Sequence, residues 1–576
     1  MRLKFSKFVK LLLVSLCVLV VYNYFHYARS TYSDNKPFTS SRNESIRIDW
    51  HDYNLIAREL TRSGPGEHGK AVILHGEDAK LSKEVFTENG FCRVVSDKIA
   101  LDRAIPDLRH PECRKKLYLK NLPTVSVIIP VFQEHWTTLL RTINTVILRA
   151  PSSLLKEIIL VEDGSFKSFL KEQLDEYCQK NYPKNFVRVI HHDKRVGLIR
   201  ARLTGAKNAT GDVLLFLDSH VEPGTNYLPP LLEPIALDYK TVVCPFIDVI
   251  DMHNFELRPQ DEGARGAFDW ILNYKRLSRL PEDELHPADP FDSPVMAGGL
   301  FAISAKWFWE LGGYDPGLLI WGGEQYELSF KVWMCGGRMV DTPCSRIGHI
   351  YRGEAHFPSA GAGDFLARNY RRLMDVWMDE YAEYVYKRRP YYRSVDPGDL
   401  TEQLAIRKKL KCKSFKWFIE NIAFDLPKKY PPEDPVPGAL GQVRIGDDLA
   451  FCLAVGHQRE VILARCDDKS VQTQFQYTWR NDVALVGSED CLDVVSGTAP
   501  AKVSLFGCHG SQGNQWWELK FLKAKNVNPV QLHHVTHKLC LEADPVSMTV
   551  SMNTCSRKAL QWWYWDKLSG KKRRSQ

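Results

Sequence analysis

The sequence predicts an α/β domain with a doubly wound, mixed or parallel sheet, followed by a smaller all-β domain of β-trefoil type. Two observations carry this prediction. Between Val125 and Leu217 short apolar runs alternate with amphipathic segments, and beyond residue 440 a Cys-Leu motif recurs three times. At 576 residues the chain is also too long for one ordinary core, so more than one domain is expected.

The α/β elements follow in order. VSVIIPV (125–131) is the run of a strand buried on both faces. HWTTLLRTINTVILRA (135–150) puts Trp136, Leu139, Leu140, Ile143, Val146 and Ile147 on one helical face. A strand EIILV (157–161), a polar helix, a strand FVRVI (186–190), a helix through LIRARLTGAK (198–207) and a strand VLLFL (213–217) complete the series. Such alternation is the pattern of a parallel sheet covered by helices on both sides.

YPPEDPVPGALG (430–441) has prolines that sustain neither helix nor central strand, which predicts a linker over 431–441. Beyond it FCLAV (451–455), CLDVV (491–495) and LCLEA (539–543) each carry Cys-Leu, and Cys466, Cys508 and Cys555 follow them in turn. Pairing Cys452 with Cys466, Cys491 with Cys508 and Cys540 with Cys555 staples each unit once. Three units, each too small to bury a core alone, imply a trefoil over 442–570. Close cysteine pairs of metal-ligand spacing are missing there.

At the other end, LLLVSLCVLVVYNYF (11–25) follows Arg2, Lys4, Lys7 and Lys10 and reads as a signal-anchor, with a cleavable signal peptide as the alternative. Residues 1–10 are then a cytoplasmic tail and the rest of the chain faces a lumen. Residues 26–90 are polar with little periodicity and read as a stem, ahead of the α/β domain over 91–430. A lumenal setting permits disulfides among the 14 cysteines, all but Cys17 of which lie beyond the anchor, and glycosylation of the sequons at Asn43 and Asn208. The net charge of +8, with 77 basic against 69 acidic side chains, is concentrated at the termini, including KKRR at 571–574, and is no nucleic-acid signature.

Candidate chemistry begins where VLLFLDSHVE (213–222) stops at an acid. In a parallel sheet ligands bind beyond the carboxyl ends of the strands. Residues two apart on extended chain point the same way, so Asp218 and His220 face one site. A carboxylate with an imidazole suits a divalent cation such as Mn2+, and His349 in CSRIGHIYR (344–352) is the candidate third ligand. The competing readings are an Asp-Ser-His hydrolase triad, which adjacent strand residues align poorly to form, and a strand end capped by local hydrogen bonds.

FLDSH, PVMAGGLFAI (294–303), IWGGEQYELSFKVWMCGG (320–337) and PCSRIGHIYR (343–352), in this order ahead of a three-repeat tail, closely resemble the polypeptide N-acetylgalactosaminyltransferases, which start mucin-type O-glycans. SDKIALDRAIPDLRHPEC (96–113) resembles the segment that opens their catalytic domain. The likeness spans roughly residues 90 to 570. It implies a glycosyltransferase A-type fold, UDP-GalNAc as donor, Ser/Thr hydroxyls of proteins as acceptors, retention at the anomeric carbon, and Mn2+ held by Asp218, His220 and His349. It also implies uridine contacts from Asp163 and Arg195, Gly298 and Gly299 beside the sugar, Trp321 and Glu324 at the reacting centre, and Arg352 near the diphosphate. Disulfides Cys113–Cys344 and Cys335–Cys412 and a Golgi membrane location are implied likewise, whereas Cys92, Cys178 and Cys244 are left unplaced.

Several positions depart from the family pattern. PVFQE (130–134) stands where many members have Thr-Phe-His-Asn-Glu, EDG (162–164) has Glu where Asp-Asp is usual, and Val196 replaces a common Glu. GEAHFPSAGAG (353–363) has Ala355 and Phe357 where some members have His and Tyr, in a Gly-rich stretch suited to a lid.

The tail resembles a ricin-type lectin domain. Its middle repeat alone keeps both Cys-Leu-Asp and Gln-x-Trp, so one GalNAc site is expected at Asp493, with His509 and Asn514. Ala454 and Glu542 replace the acid in the other repeats. A lectin beside a transferase implies a preference for partly glycosylated acceptors. The rival readings are a catalytically silent GalNAc-binding protein, a glycoside hydrolase with a lectin appendage, and a transferase of another UDP-sugar.

Overall fold

The computed structural model describes residues 46–260, 264–353, 363–445, 450–510, 512–521 and 529–568. The tail, the anchor at 11–25, Asn43, Ala355 and Phe357 lie outside the described residues. Among the described residues no helix is long and apolar enough to cross a membrane. The chain divides into two compact units, Met1–Tyr430 and Pro431–Gln576.

The first unit is built on a mixed sheet. Its strands are β1 (Val125–Val131), β2 (Leu155–Glu162), β3 (Val187–His191), β4 (Val213–Phe216), β5 (Val221–Pro223), β6 (Thr241–Ile250), β7 (Phe291–Asp292), β8 (Phe301–Ser304) and β9 (Arg338–Ile350). They lie in the order β7-β9-β6-β8-β4-β1-β2-β3, with β5 paired to β9 and a tenth, two-residue strand Leu257–Arg258 paired to β6. β3, β2, β1 and β4 run parallel, as the strand and helix alternation requires, and β8 inserts antiparallel between β4 and β6. Four helices matter for the site: α1 (Trp136–Leu148), α2 (Glu172–Asn181), α3 (Leu198–Asn208) and α4 (Glu324–Met334). Every residue of β1 is buried, which explains its uninterrupted apolar run. α1 turns Leu139, Leu140, Ile143 and Val146 to the core on one side of the sheet, and Ile199, Leu203 and Ala206 of α3 join the core on the other.

The stem needs correction over residues 46–90. This stretch holds a helix Tyr53–Leu60 capped by Asp52 and a second helix Gly76–Glu84, and it packs on the catalytic unit. Its contacts are mixed: Val72, Leu74 and Val85 pack in a cluster with Ile250, Phe255 and Leu257, while Arg149 pairs with Glu59 at 2.7 Å and Arg47 with Glu233 at 2.5 Å. Its docking apolar residues, among them Leu55, Val72, Leu74 and Val85, are few and widely spaced, which is why this segment reads as spacer. Just beyond it, Arg103 pairs with Glu222 of β5 at 2.7 Å with both side chains buried.

The second unit is all-β. Disulfides Cys452–Cys466, Cys491–Cys508 and Cys540–Cys555 close its repeats. Trp517 and Trp563 are fully buried, and their indoles donate to the carbonyls of Leu492 and Leu541, the equivalent residue of each repeat. Phe475 fills the core in the first repeat. Cys113–Cys344 and Cys335–Cys412 are bonded in the first unit, while Cys92, Cys178 and Cys244 are buried free thiols.

Candidate functional site

β4 ends at Phe216, and the chain crosses the carboxyl edge of the sheet through Asp218 and His220 before β5 begins. β5 pairs antiparallel with β9, setting His349 opposite Val221, and the Ile350 amide donates to the His220 carbonyl at 3.2 Å. This pairing returns His349 to the edge where β4 left it. One ligand atom from each of Asp218, His220 and His349 lies within 4.8 Å of the others. Asp218 Oδ2 is 3.2 Å from His349 Nε2, and the two imidazole rings are 4.9 Å apart.

Carboxylate plus two imidazoles is a donor set suited to Mn2+, and the geometry fits it. His220 Nδ1 lies 2.9 Å from the carboxylate of Glu134, so a ring donating there presents a bare Nε2. Burial alone would raise the Asp218 carboxyl, but His349 and Arg202 outweigh it and hold the group well below the usual carboxylate range. Ser219 is buried and its hydroxyl donates to Glu134 at 2.6 Å, so no hydrolase triad is assembled.

Two residues of this site were missed in the sequence. Glu134, in the turn just beyond β1, is fully buried and touches His220, Ser219 and Arg352. Its position beyond the carboxyl end of a strand, the rule that found Asp218, was the available signal. Arg202 of α3 is also fully buried, and its guanidinium donates to Asp218 at 3.1 Å and to the carbonyls of Gly298 and Gly299 at 2.8 and 3.0 Å. It stands 4.0 Å from Glu324. An arginine on the same helical face as Ile199, Leu203 and Ala206 was the signal there.

The reacting-centre candidates converge on the same place. Gly299 packs against Asp218 so closely that a Cβ would sit 2.9 Å from Oδ2. Glu324 opens α4, is buried, and accepts from the Gly322 amide at 2.7 Å. Burial pushes its carboxyl up against the pull of Arg202. Trp321 is 55% exposed, while Asn369 pins its loop by donating to the carbonyls of Leu319 and Gly322 at 2.8 Å. Arg352 lies 3.0 Å from His220 Nδ1.

Asp163 has a structural task that its motif did not announce. Its carboxylate accepts from the amides of Val196 and Gly197, both at 2.8 Å, and contacts His192 at 3.0 Å. It thereby fixes the turn that carries Arg195, whose guanidinium lies 4.1 Å from the ring centre of Phe132 with Nε and Nη1 buried and unpartnered. A cleft of about 870 Å³ opens beside this turn, lined by Gly164, Arg195, Val196 and Ile320.

In the second unit Asp493 is buried and accepts from Gln515 at 3.2 Å, while Gln515 accepts from the His509 amide. The Asn514 carbonyl receives Val494 N and His534 Nε2. Asp493, His509 and Asn514 thus share one neighbourhood. Asn208 is exposed at the end of α3.

Comparison with known proteins agrees with this geometry. The glycosyl transferase family 2 model matches residues 126–312, the N-terminal domain of galactosyltransferase model 284–356, and the ricin-type beta-trefoil lectin domain model 440–563. N-acetylgalactosaminyltransferase 6 of Drosophila melanogaster is 53% identical over 89% of this chain and 77% of that protein. The chain belongs to the polypeptide N-acetylgalactosaminyltransferase family. Within it, polypeptide N-acetylgalactosaminyltransferase 10 of Mus musculus is 48% identical over 90% of this chain and 86% of its own. The crystal structure of GalNAc-T7 with UDP, GalNAc and Mn2+ matches with a TM-score of 0.64 at 36% identity, covering 92% of this chain and 96% of that one. Membership of a GalNAc-transferase family with a glycosyltransferase A-type fold removes the hydrolase reading.

Proposed function

We infer that the chain transfers GalNAc from UDP-GalNAc to Ser/Thr hydroxyls of proteins, with retention and with Mn2+. The observation that carries this reading is the convergence of Asp218, His220 and His349 beside Gly299 and Glu324, joined through Arg202. Asp218, His220 and His349 would hold the ion. When bound, the ion supplies positive charge against the negative charge that develops on a departing diphosphate.

The other roles belong to the chain's own groups. Arg195 and Phe132 offer a charged and an aromatic surface to the nucleoside, with Asp163 holding their turn. Arg352 adds a guanidinium on the phosphate side, anchored to Glu134. Gly298 and Gly299 let backbone approach the sugar, because no side chain intervenes. Trp321 presents an exposed apolar face to sugar C–H groups, and Glu324 orients hydroxyls or moves a proton from a carboxyl raised by burial.

The second unit adds GalNAc recognition at Asp493, His509 and Asn514, which would concentrate GalNAc-bearing acceptors. The five disulfides among the described residues support an oxidising lumen, and with the apolar run 11–25 they support a type II Golgi membrane protein glycosylated at Asn43 and Asn208.

The test is transfer from UDP-GalNAc to plain and GalNAc-bearing peptides, with Mn2+ and after chelation. Metal-dependent transfer with UDP release, faster on the glycopeptides and slowed on them by Asp493→Asn, is the expected result. No transfer to any peptide would leave a silent lectin, and transfer only from another UDP-sugar would change the donor.

A further inference from the structure

A second cavity, of about 430 Å³, lies in the first unit between the segment from Asp49 to Glu59, the turn after α1 and the turn after β5. Nothing in the transfer reaction uses it. Its lining includes Trp50, Asp52, Glu59, Ser153, Thr225 and Asn226. Asn226 is 4% exposed, and neither its Nδ2 nor its Oδ1 has a hydrogen-bond partner. A buried amide left wholly unpaired costs about 1–3 kcal/mol per group, so the arrangement points to a ligand that supplies both a donor and an acceptor.

The lining narrows the ligand class. The Arg149 guanidinium is already taken by Glu59 and by the carbonyls of Pro223 and Arg103, while Asp49 and Asp52 add further negative charge. An anion such as a phosphate or a uronic acid would meet carboxylates with no free guanidinium among these groups. Neighbouring hydroxyls of a pyranose satisfy one side-chain amide, one donating to Oδ1 and the other accepting from Nδ2. Carboxylates and the hydroxyls of Ser153 and Thr225 extend the same chemistry. The Trp50 indole, fixed by its hydrogen bond to the Leu119 carbonyl, supplies a flat apolar surface of the kind sugar C–H faces cover. The volume lies in the range of small-molecule sites.

We propose that this cavity is a carbohydrate-binding site for one neutral pyranose or its glycoside, separate from the donor site and from the lectin unit. It is formed only because the polar segment from residue 46 folds onto the catalytic unit.

The experiment is saturation-transfer NMR on the whole chain carrying Asp493→Asn, with UDP and Mn2+ present to fill the donor site. The probes are the methyl α-glycosides of GalNAc, GlcNAc, galactose and mannose, with methyl glucuronide as the anionic control. At least one neutral glycoside is expected to give a saturable signal. Affinity should fall by about 10-fold or more in Asn226→Leu and in Ser153→Trp, each losing more than about 1.4 kcal/mol. Ser153 is an exposed rim residue, so Ser153→Trp closes the mouth without disturbing the core, and its GalNAc transfer to plain peptide should match that of the parent. No saturable signal from any neutral glycoside, binding unchanged in Ser153→Trp, or glucuronide binding as well as the neutral sugars would each overturn the proposal.

Discussion

Glu134 Oε2 stands 2.9 Å from His220 Nδ1, and Arg352 donates to the same oxygen. A buried carboxylate just beyond the end of β1 therefore orients a metal-ligand candidate and the Arg352 guanidinium together. Removing a carboxylate that orients a ligating imidazole weakens metal binding by about 10–100-fold. Glu134→Gln should raise the Mn2+ concentration for half-maximal transfer by that order, with excess Mn2+ restoring much of the rate. An unchanged Mn2+ titration would show that Glu134 only fills space.

Arg202 bridges Asp218, the Gly298–Gly299 backbone and the neighbourhood of Glu324. Arg202→Met leaves the buried Glu324 and the part-buried Asp218 without their shared cation, a loss of about 3–5 kcal/mol in stability. Loss of preorganised charge at the reacting centre should also lower kcat by about 10²-fold or more. Arg202→Lys should recover stability better than rate, because an ammonium lacks the fork that reaches three acceptors at once. Thermal unfolding and initial rates on both variants check this.

Gly299→Ala places a methyl 2.9 Å from Asp218 Oδ2. The carboxylate must give way, and the expected outcome is weaker Mn2+ binding with a stability change of about 1–3 kcal/mol. Direct Mn2+ titration of the folded variant measures it, and wild-type affinity would contradict the close packing of these two residues.

Glu157 ties three strands at the far edge of the sheet, accepting from Ser126 at 2.8 Å, the Thr210 amide at 2.7 Å and Arg188 at 2.5 Å. Burial would raise its pKa, but Arg188, Thr210 and Ser126 outweigh burial and lower it. A lowered folded-state pKa stabilises above the unfolded value and loses that contribution as pH falls through the folded one. Glu157→Gln should thus be less stable near neutrality by about 1–3 kcal/mol, with the gap to wild type closing below about pH 4. Denaturation curves at both pH values decide it, and a gap constant with pH would refute the ionic reading.

Much of the fold could be read from the chain because its signals are apolar. VSVIIPV, α1 and VLLFL appear in place, and Asp218 and His220 stand where a strand run stops at an acid. Groups held by charge were harder to see. Arg202 sits among apolar residues of α3 with its partners remote in sequence, and residues 46–90 pack through ion pairs and a few scattered apolar side chains. The return of His349 depends on the β5–β9 pairing, which a linear pattern does not carry. Asp163 carries a task its motif did not announce: its oxygens accept from backbone amides of the Arg195 turn, which is remote in sequence.

Calorimetric titration of UDP into the wild-type chain and His349→Ala, with Mn2+ and after chelation, probes the joined metal and nucleotide site most directly. The expected result is UDP binding by the wild type that requires Mn2+ and is at least about 10-fold weaker in His349→Ala, a difference of about 1.4 kcal/mol or more. Equal UDP affinity with and without metal, or undiminished affinity in His349→Ala, would contradict a donor site organised by Asp218, His220 and His349.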